Sequence, residues 1–164
     1  MSPSEAASVA RRSAAPEETE GWGASLAPAL EAGDLLLLRG PLGSGKTCFV
    51  TGLARGLGAR GRVRSPSFGL IHEMNGRVFL AHVDLYRLSE REAERLGLEE
   101  LRERGVLAVE WGERLLPAWR DDALEITFRI LGPTARELTV RGHGPRGAAL
   151  LEAWRALDPA ARGA

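Results

Sequence analysis

The sequence predicts an α/β fold, in which a mixed sheet has a parallel centre and an antiparallel flank and carries helices on both faces. Three observations predict it: an apolar strand that leads through a glycine-rich loop into a helix, two further apolar strands that each end in an acid, and two alternating segments that follow them. At 164 residues, we expect a single domain over 1–164, with loose ends at 1–8 and 158–164.

Charge and cysteine content narrow the classes of function. The chain has 22 basic and 22 acidic residues, so no global field draws it onto nucleic acid or an anionic membrane. Contact with RNA would have to be local or made through a partner. The single cysteine excludes an internal disulfide and suits a reducing compartment. Since there is neither a long apolar run nor a signal-peptide core, we expect a cytoplasmic protein.

The central motif is Gly40–Thr47, which fits the pattern of a phosphate-binding loop (P-loop). Glycines let the backbone turn tightly and bring N–H groups against phosphate oxygens. Lys46 would reach the β- and γ-phosphates, and the Thr47 hydroxyl would bind Mg²⁺. The flanking segments have the required character, because Asp34–Arg39 is typical of a buried strand and Thr47–Leu57 of a helix.

Lys46 is the only lysine, and the other 21 basic residues are arginines. A compact ammonium between phosphates cannot be exchanged for a planar guanidinium, so the lone lysine favours the P-loop. The alternative is a glycine-rich turn that caps a core helix. Cys48 follows the loop and is expected to be a small packed hydrophobe, although a reactive thiol near a helix terminus is the alternative.

The N-terminal segment leads the chain to the loop strand. Residues 8–14 form a weak candidate for an edge strand, and Pro16–Thr19 is a good helix start, with a proline and two acids. Gly33 is expected to end this helix. Three apolar residues before it can share one face: Trp22, Leu26 and Leu30.

A basic loop and a candidate switch follow the P-loop helix. The loop Gly58–Arg64 contains three arginines, Arg60, Arg62 and Arg64, which could meet phosphate or RNA or simply be solvated. In Ser65–Phe68, the Ser67 hydroxyl lies where nucleotide switches sense the γ-phosphate and the metal. The alternative for Ser67 is an ordinary turn residue.

Two apolar strands then end in carboxylates. Gly69–Met74 and Arg77–Asp84 flank Asn75-Gly76, a strong hairpin signal, and strand alternation puts His82 and Asp84 on one face. Gly105–Trp111 is the second such strand and contains Glu110. Because open α/β sheets bind ligands at the carboxyl ends of their strands, Asp84 and Glu110 can converge on the metal and phosphates. One acid would bind Mg²⁺ and the other would orient the attacking water.

The remaining segments complete the predicted fold. Ser89–Leu96 is a charged helix with a plausible cap, and 97–104 continues in helical or turning structure. The alternating segment 124–130 pairs with 136–140 as an antiparallel edge. Residues 148–157 make a last amphipathic helix.

These motifs together resemble the TsaE family of bacterial ATPases. The resemblance rests on Gly40–Thr47, Ser65–Phe68, His82–Arg87 and Val109–Trp111, and their order and spacing cover most of the chain from Glu18 to Arg136. It implies an ATPase that takes part in forming threonylcarbamoyladenosine on tRNAs that read codons beginning with adenine. It also implies two partners, TsaD, which transfers the threonylcarbamoyl group, and TsaB, its companion.

The resemblance also implies roles for individual residues. Lys46 would bind phosphates, Thr47 and Glu110 would hold Mg²⁺, and Asp84 would be the catalytic or water-orienting acid. Trp111 would pack by the metal site. Further ATP contacts are implied for the switch hydroxyl of Ser67, for Glu113 and Arg136, for Pro16 near the base, and for the loop amides of Leu42, Gly43, Ser44, Gly45 and Cys48.

Two positions depart from the family pattern. Serine stands at 67 where threonine is usual, which keeps the hydroxyl but loosens its rotamer. Cys48 replaces a threonine, so a backbone amide contact is what remains there. Two other functions stay open from the residues: a nucleotide-gated binding module with incidental hydrolysis, and a small-molecule P-loop kinase in which Asp84 is the base.

Overall fold

A computed structural model describes residues 8–60 and 71–157 of the chain. The predicted Ser65–Phe68 switch, Arg62, Arg64 and the first two residues of the predicted Gly69–Met74 strand lie outside these ranges. The elements, in chain order, are β1 (Ser8–Ser13), α1 (Pro16–Leu26), β2 (Leu35–Arg39), α2 (Lys46–Gly56), β3 (Ile71–Met74), β4 (Phe79–Asp84), α3 (Glu90–Ala93), α4 (Leu98–Arg104), β5 (Gly105–Glu110), β6 (Ala123–Ile130), β7 (Arg136–His143) and α5 (Gly144–Arg155).

The strands form one sheet in the order β1-β7-β6-β2-β5-β4-β3. Its centre is parallel, because β6, β2, β5 and β4 run in one direction. The pairs β1–β7, β6–β7 and β3–β4 are antiparallel, so both edges differ from the centre. Strand β7 is not the edge that we predicted from the sequence, because β1 pairs with six of its eight residues, Arg136–Arg141.

Apolar side chains pack on both faces of the sheet, which explains the continuous apolar runs of β2 and β5. Leu36 and Leu38 belong to the core under α1, α2 and α5. Leu35 and Leu37 point the other way, into the core with α3 and α4. The predicted mixed sheet with helices on both faces is therefore confirmed.

Helix α1 ends at Leu26, earlier than the predicted end at Gly33. Pro28 lies in a 3₁₀ turn, Ala27–Ala29, that follows the helix directly. Since proline lacks an N–H and clashes with the preceding turn, it stops α-helical hydrogen bonding there. Leu30 is nevertheless buried with Trp22 and Leu26, as the apolar pattern predicted.

The hairpin β3–β4 forms as predicted, but its connection is longer than a two-residue Asn75-Gly76 turn. Met74 pairs with Leu80, which leaves residues 75–78 outside both strands. These residues pair with the end of α2 instead: the N–H of Arg77 donates to the carbonyl of Leu57 at 2.7 Å. Tertiary hydrogen bonds thus override the local turn signal.

The last helix begins at Gly144, earlier than the predicted start at residue 148. A carboxylate distant in sequence caps it, because Asp122 Oδ1 accepts from the N–H groups of Arg146 at 2.8 Å and Gly147 at 3.2 Å. The cap of α3 was predicted from the sequence, and Ser89 and Glu92 form a complete capping box there. No helix within 8–60 and 71–157 has the length and apolar character needed to cross a membrane.

Candidate nucleotide site

A cavity of about 400 Å³ opens where β2, β4 and β5 end. The P-loop forms its floor, and the last residues of β4 and β5 contribute one wall. The opposite wall comes from α1 and the start of β7. The residues around it are Pro16, Thr19, Leu42, Gly43, Ser44, Gly45, Lys46, Thr47, Cys48, Asp84, Glu110, Trp111, Thr134 and Arg136.

The loop needs glycine at positions where its backbone has positive φ. Gly40 has φ 149°, and a Cβ there would lie 2.7 Å from the Phe128 carbonyl oxygen. Gly45 has φ 106° and precedes the first residue of α2. The helix therefore begins directly at the cavity, and its first N–H groups and positive dipole end make an anion-binding position.

Lys46 is buried and folded back onto its own loop. Its ammonium donates to the carbonyl oxygen of Gly40 and lies 3.4 Å from that of Pro41. The Nζ atom also lies 4.1 Å from the centroid of the Trp111 ring, in cation–π contact. Burial lowers the pKa of Lys46, although the carboxylates of Glu110, Glu113 and Asp84 oppose this.

Thr47 and Glu110 face each other beside the loop. The Thr47 hydroxyl donates to Glu110 Oε2 at 3.0 Å, with Oε1 at 3.3 Å. Glu110 is only 4% exposed, and its Oε2 also lies 2.5 Å from His82 Nε2. A hydroxyl and a carboxylate side by side are hard oxygen ligands, so this pair fits a Mg²⁺ ion.

His82 is a residue whose part in the site we missed in the sequence. Strand alternation predicts that it shares a face with Asp84, but its hydrogen-bond partner depends on the neighbouring strand. In the parallel pair β4–β5, Asp84 stands opposite Glu110 and His82 opposite Ala108. A histidine two positions before a strand-end acid was the available signal, and it could not reveal which strand lies alongside.

Asp84 lies at the cavity wall next to Glu110. Its Oδ1 accepts the N–H of Tyr86 at 2.9 Å, which limits rotation of the carboxylate. Trp111 follows β5 with φ 62°, and its ring lies 5.1 Å from that of Tyr86. Trp111 thus covers Lys46 from the side.

Glu113 is not brought to the cavity wall. It follows Trp111 in a 3₁₀ turn, Gly112–Arg114, and its carboxylate lies 3.5 Å from the guanidinium of Arg39. Its charge still acts on Lys46 across space. The geometry therefore gives no support to the contact with ATP that the resemblance implied for Glu113.

Arg136 lines the cavity and also holds the loop. Its Nη2 donates to the Gly43 carbonyl at 2.9 Å, while Nη1 donates to the carbonyls of Gly132 and Ala135 at 2.8 Å each. A planar guanidinium with several donors suits this arrangement better than an ammonium would. Arg136 thus ties the tip of the P-loop to the connection between β6 and β7.

Pro16 and Cys48 lie on the cavity wall at the starts of α1 and α2. Burial raises the pKa of the Cys48 thiol, which disfavours the reactive thiolate and favours a packed side chain. Ser67 lies outside the described residues, so its switch role stays a prediction. Of the three loop arginines, Arg60 is described, and its N–H pairs with the Asn75 carbonyl at 2.8 Å.

Comparison with known proteins identifies relatives along most of the chain. The family described as "Threonylcarbamoyl adenosine biosynthesis protein TsaE" matches residues 13–138. The protein of that name from Bacillus subtilis is 40% identical over 143 residues, which cover 86% of this chain and 90% of the relative. The one from Treponema pallidum is 40% identical over 126 residues, with 76% and 93% covered.

A third relative, from Streptomyces coelicolor, is 44% identical over 135 residues, which cover 77% of this chain and 91% of the relative. All three bear the name tRNA threonylcarbamoyladenosine biosynthesis protein TsaE. The crystal structure of YdiB from Bacillus subtilis superposes with a TM-score of 0.75 at 34% identity, covering 90% of this chain and 94% of that one. Sequence and fold agree, and the chain belongs to the TsaE family.

Proposed function

We propose that this protein is a Mg²⁺-dependent ATPase needed for formation of the threonylcarbamoyl group on adenosine of tRNAs that read codons beginning with adenine. It would act in the cytoplasm with TsaD and TsaB, and tRNA would be reached through these partners. The names of the relatives support the pathway. The observation that carries the ATPase is the Thr47–Glu110 pair, held at 3.0 Å directly beside a phosphate-binding loop.

Phosphate binding falls to the P-loop and Lys46. The amides of residues 42–48 and the start of α2 offer N–H donors and a positive dipole end to the phosphates. Lys46 would exchange the carbonyls of Gly40 and Pro41 for phosphate oxygens. Because phosphates carry full negative charge, they would offset the burial that now lowers the lysine's pKa.

Thr47 and Glu110 would hold Mg²⁺ through one hydroxyl and one carboxylate oxygen. Bound Mg²⁺ would neutralise charge that develops on the phosphate oxygens. The two side chains are already hydrogen-bonded to each other, so they are oriented toward one point before any ligand arrives. Little reorganisation would be required of them, which favours electrostatic stabilisation.

Asp84 would orient the attacking water. It lines the cavity next to Glu110, and its Oδ1 accepts the Tyr86 N–H at 2.9 Å, which limits rotation of the carboxylate. Phosphoryl transfer to water depends on positioning more than on covalent chemistry, so a fixed acid suffices in kind. Ser67 would sense the γ-phosphate. Pro16 and Arg136 would lie along the remainder of the nucleotide, with Arg136 holding the loop at Gly43.

The test is Mg²⁺-dependent ATP turnover by the purified chain, alone and with TsaB and TsaD. Lys46→Ala should abolish turnover. Arg55→Ala is the matched control, since Arg55 is a cation at the C-terminal end of the same helix. Its guanidinium pairs with the Glu20 carboxylate at 3.2 Å. We expect slow turnover that rises with the partners and survives in R55A. Tight ATP binding together with a turnover rate that TsaB and TsaD do not change would favour a nucleotide-gated module. Efficient phosphorylation of a nucleoside or sugar would favour a kinase.

A further inference from the structure

His82 lies against the proposed metal-binding pair, and no step described above uses it. It is fully buried on β4, with Nε2 2.5 Å from Glu110 Oε2. We propose that His82 is a positioning residue, which holds the Glu110 carboxylate in the orientation that serves the cation together with Thr47. This inference rests on the proposed function, because it assumes that Thr47 and Glu110 bind Mg²⁺.

The direction of the hydrogen bond follows from the two groups. A carboxylate accepts and cannot donate, so Nε2 of His82 carries the proton. The other ring nitrogen, Nδ1, is buried and has no hydrogen-bond partner among the described residues. A buried N–H without a partner is rarer and costlier than an unpaired acceptor, which also assigns the proton to Nε2. His82 is thus a directed donor to one carboxylate oxygen.

The two oxygens of Glu110 are consequently not equivalent. Oε2 accepts from His82 and from Thr47, at 2.5 and 3.0 Å. Among the described residues, Oε1 receives the longer Thr47 contact of 3.3 Å. Oε1 therefore keeps more acceptor capacity, and it is the oxygen that we assign to the cation. Because the Glu110 side chain is almost fully buried, water cannot easily replace the His82 donor.

The strand register explains why histidine can reach this acid. His82 stands opposite Ala108 on β5, and Glu110 is the next β5 residue on that face of the sheet. The small alanine leaves room for an imidazole to extend along β5 to the carboxylate. Loss of this donor would leave Glu110 free to rotate away from Thr47. Removal of a hydrogen-bond partner of a metal ligand typically lowers metal affinity by about 10–100-fold.

The experiment measures the Mg²⁺ dependence of binding of a fluorescent ADP analogue, without turnover. His82→Leu and His82→Asn should raise the Mg²⁺ concentration at half-effect by about 10–100-fold. Binding in the presence of EDTA should not change. His82→Gln should stay close to the parent, because its amide nitrogen reaches about as far as Nε2. His72→Asn is the control, since His72 pairs with His82 across β3–β4 but, among the described residues, is not a hydrogen-bond partner of Glu110.

Each outcome decides the inference. Parent-like Mg²⁺ titrations of H82L and H82N would overturn it, and so would an equal loss in H82Q, which would indicate packing alone. If circular dichroism shows that H82L does not fold, the comparison of H82Q with H82N decides. A parent protein whose nucleotide binding ignores Mg²⁺ would overturn the proposed metal site and this inference together. If nucleotide binding by the parent depends on Mg²⁺ and the His82 variants show the same dependence, the inference alone would be overturned.

Discussion

The ammonium of Lys46 is stacked on the indole of Trp111, 4.1 Å from the ring centroid. Trp111 adopts φ 62°, which makes it the one non-glycine residue with positive φ in the described ranges. Such backbone conformations cost of order 1–3 kcal/mol in non-glycine residues and are concentrated at functional sites. Because of this stacking, the electrostatic environment of the Trp111 indole depends on whether the Lys46 ammonium lies on the loop carbonyls or on a phosphate.

Nucleotide binding should therefore change the fluorescence of Trp111. When Lys46 moves from the loop carbonyls to phosphates, the charge beside the indole changes position. We expect Trp111→Phe to lose the ADP-induced change in tryptophan emission, and Trp119→Phe to keep it, because Trp119 packs against the same apolar cluster as Trp111 but is not among the residues that line the cavity. The measurement is an ADP titration of intrinsic emission. An undiminished signal in W111F would contradict the stacking account.

Glu110→Gln should raise the Mg²⁺ requirement for ATP turnover while leaving ATP binding without metal intact. The amide keeps the shape of the side chain but removes the charge that a hard cation prefers. Glu113→Gln is the matched control, since Glu113 pairs with Arg39 outside the cavity. Mg²⁺ titrations of turnover compare the variants. Equal shifts in both would mean that general loss of negative charge, rather than a ligand, is responsible.

Because Lys46 is buried, the free energy of unfolding should depend on pH in the alkaline range. Burial lowers its pKa below the ordinary 10.5, so between the lowered pKa and 10.5 the unfolded chain binds more protons than the folded one. The free energy of unfolding then gains a contribution that rises with pH across that window. Cys48 opposes it, because its pKa is raised from 9.0.

Comparison with Lys46→Met separates the contribution of Lys46 to this pH dependence from that of Cys48, which both proteins retain. The difference in unfolding free energy between parent and K46M should move in the parent's favour as pH rises toward 10.5. Urea unfolding at several alkaline pH values measures it. A difference that stays constant, or moves in favour of K46M, would contradict burial of a charged lysine.

Two helical glycines should respond oppositely to alanine. A Cβ on Gly52 would lie 1.9 Å from the Glu20 carbonyl oxygen, where α1 and α2 pack. Gly52→Ala should therefore destabilise the protein by about 1–3 kcal/mol or more. Gly21 has nothing within 4 Å of its Cβ position, so Gly21→Ala should stabilise by about 0.5–1 kcal/mol. Urea unfolding separates the two, and equal effects would argue against the close α1–α2 packing.

Prediction from the sequence succeeded where short-range signals decide the structure. The β2–loop–α2 unit, the strands that end at Asp84 and Glu110 and the Ser89 cap all formed as expected. It failed where distant chain segments compete for the same backbone groups. The Asn75-Gly76 turn yielded to hydrogen bonds with the end of α2, and the start of α5 depends on the distant Asp122.

The sequence by itself determined most of the chemical groups that line the cavity. A glycine pattern dictates loop dihedrals, and a strand-end position dictates which edge of the sheet an acid occupies, because both follow from neighbours a few residues away. Only the tertiary structure decided which side chains touch. The contact of His82 with Glu110 depends on strand order, and the pairing of Glu113 with Arg39 depends on a 3₁₀ turn after β5. Such pairings join residues far apart in the chain, so packing of the whole sheet selects them.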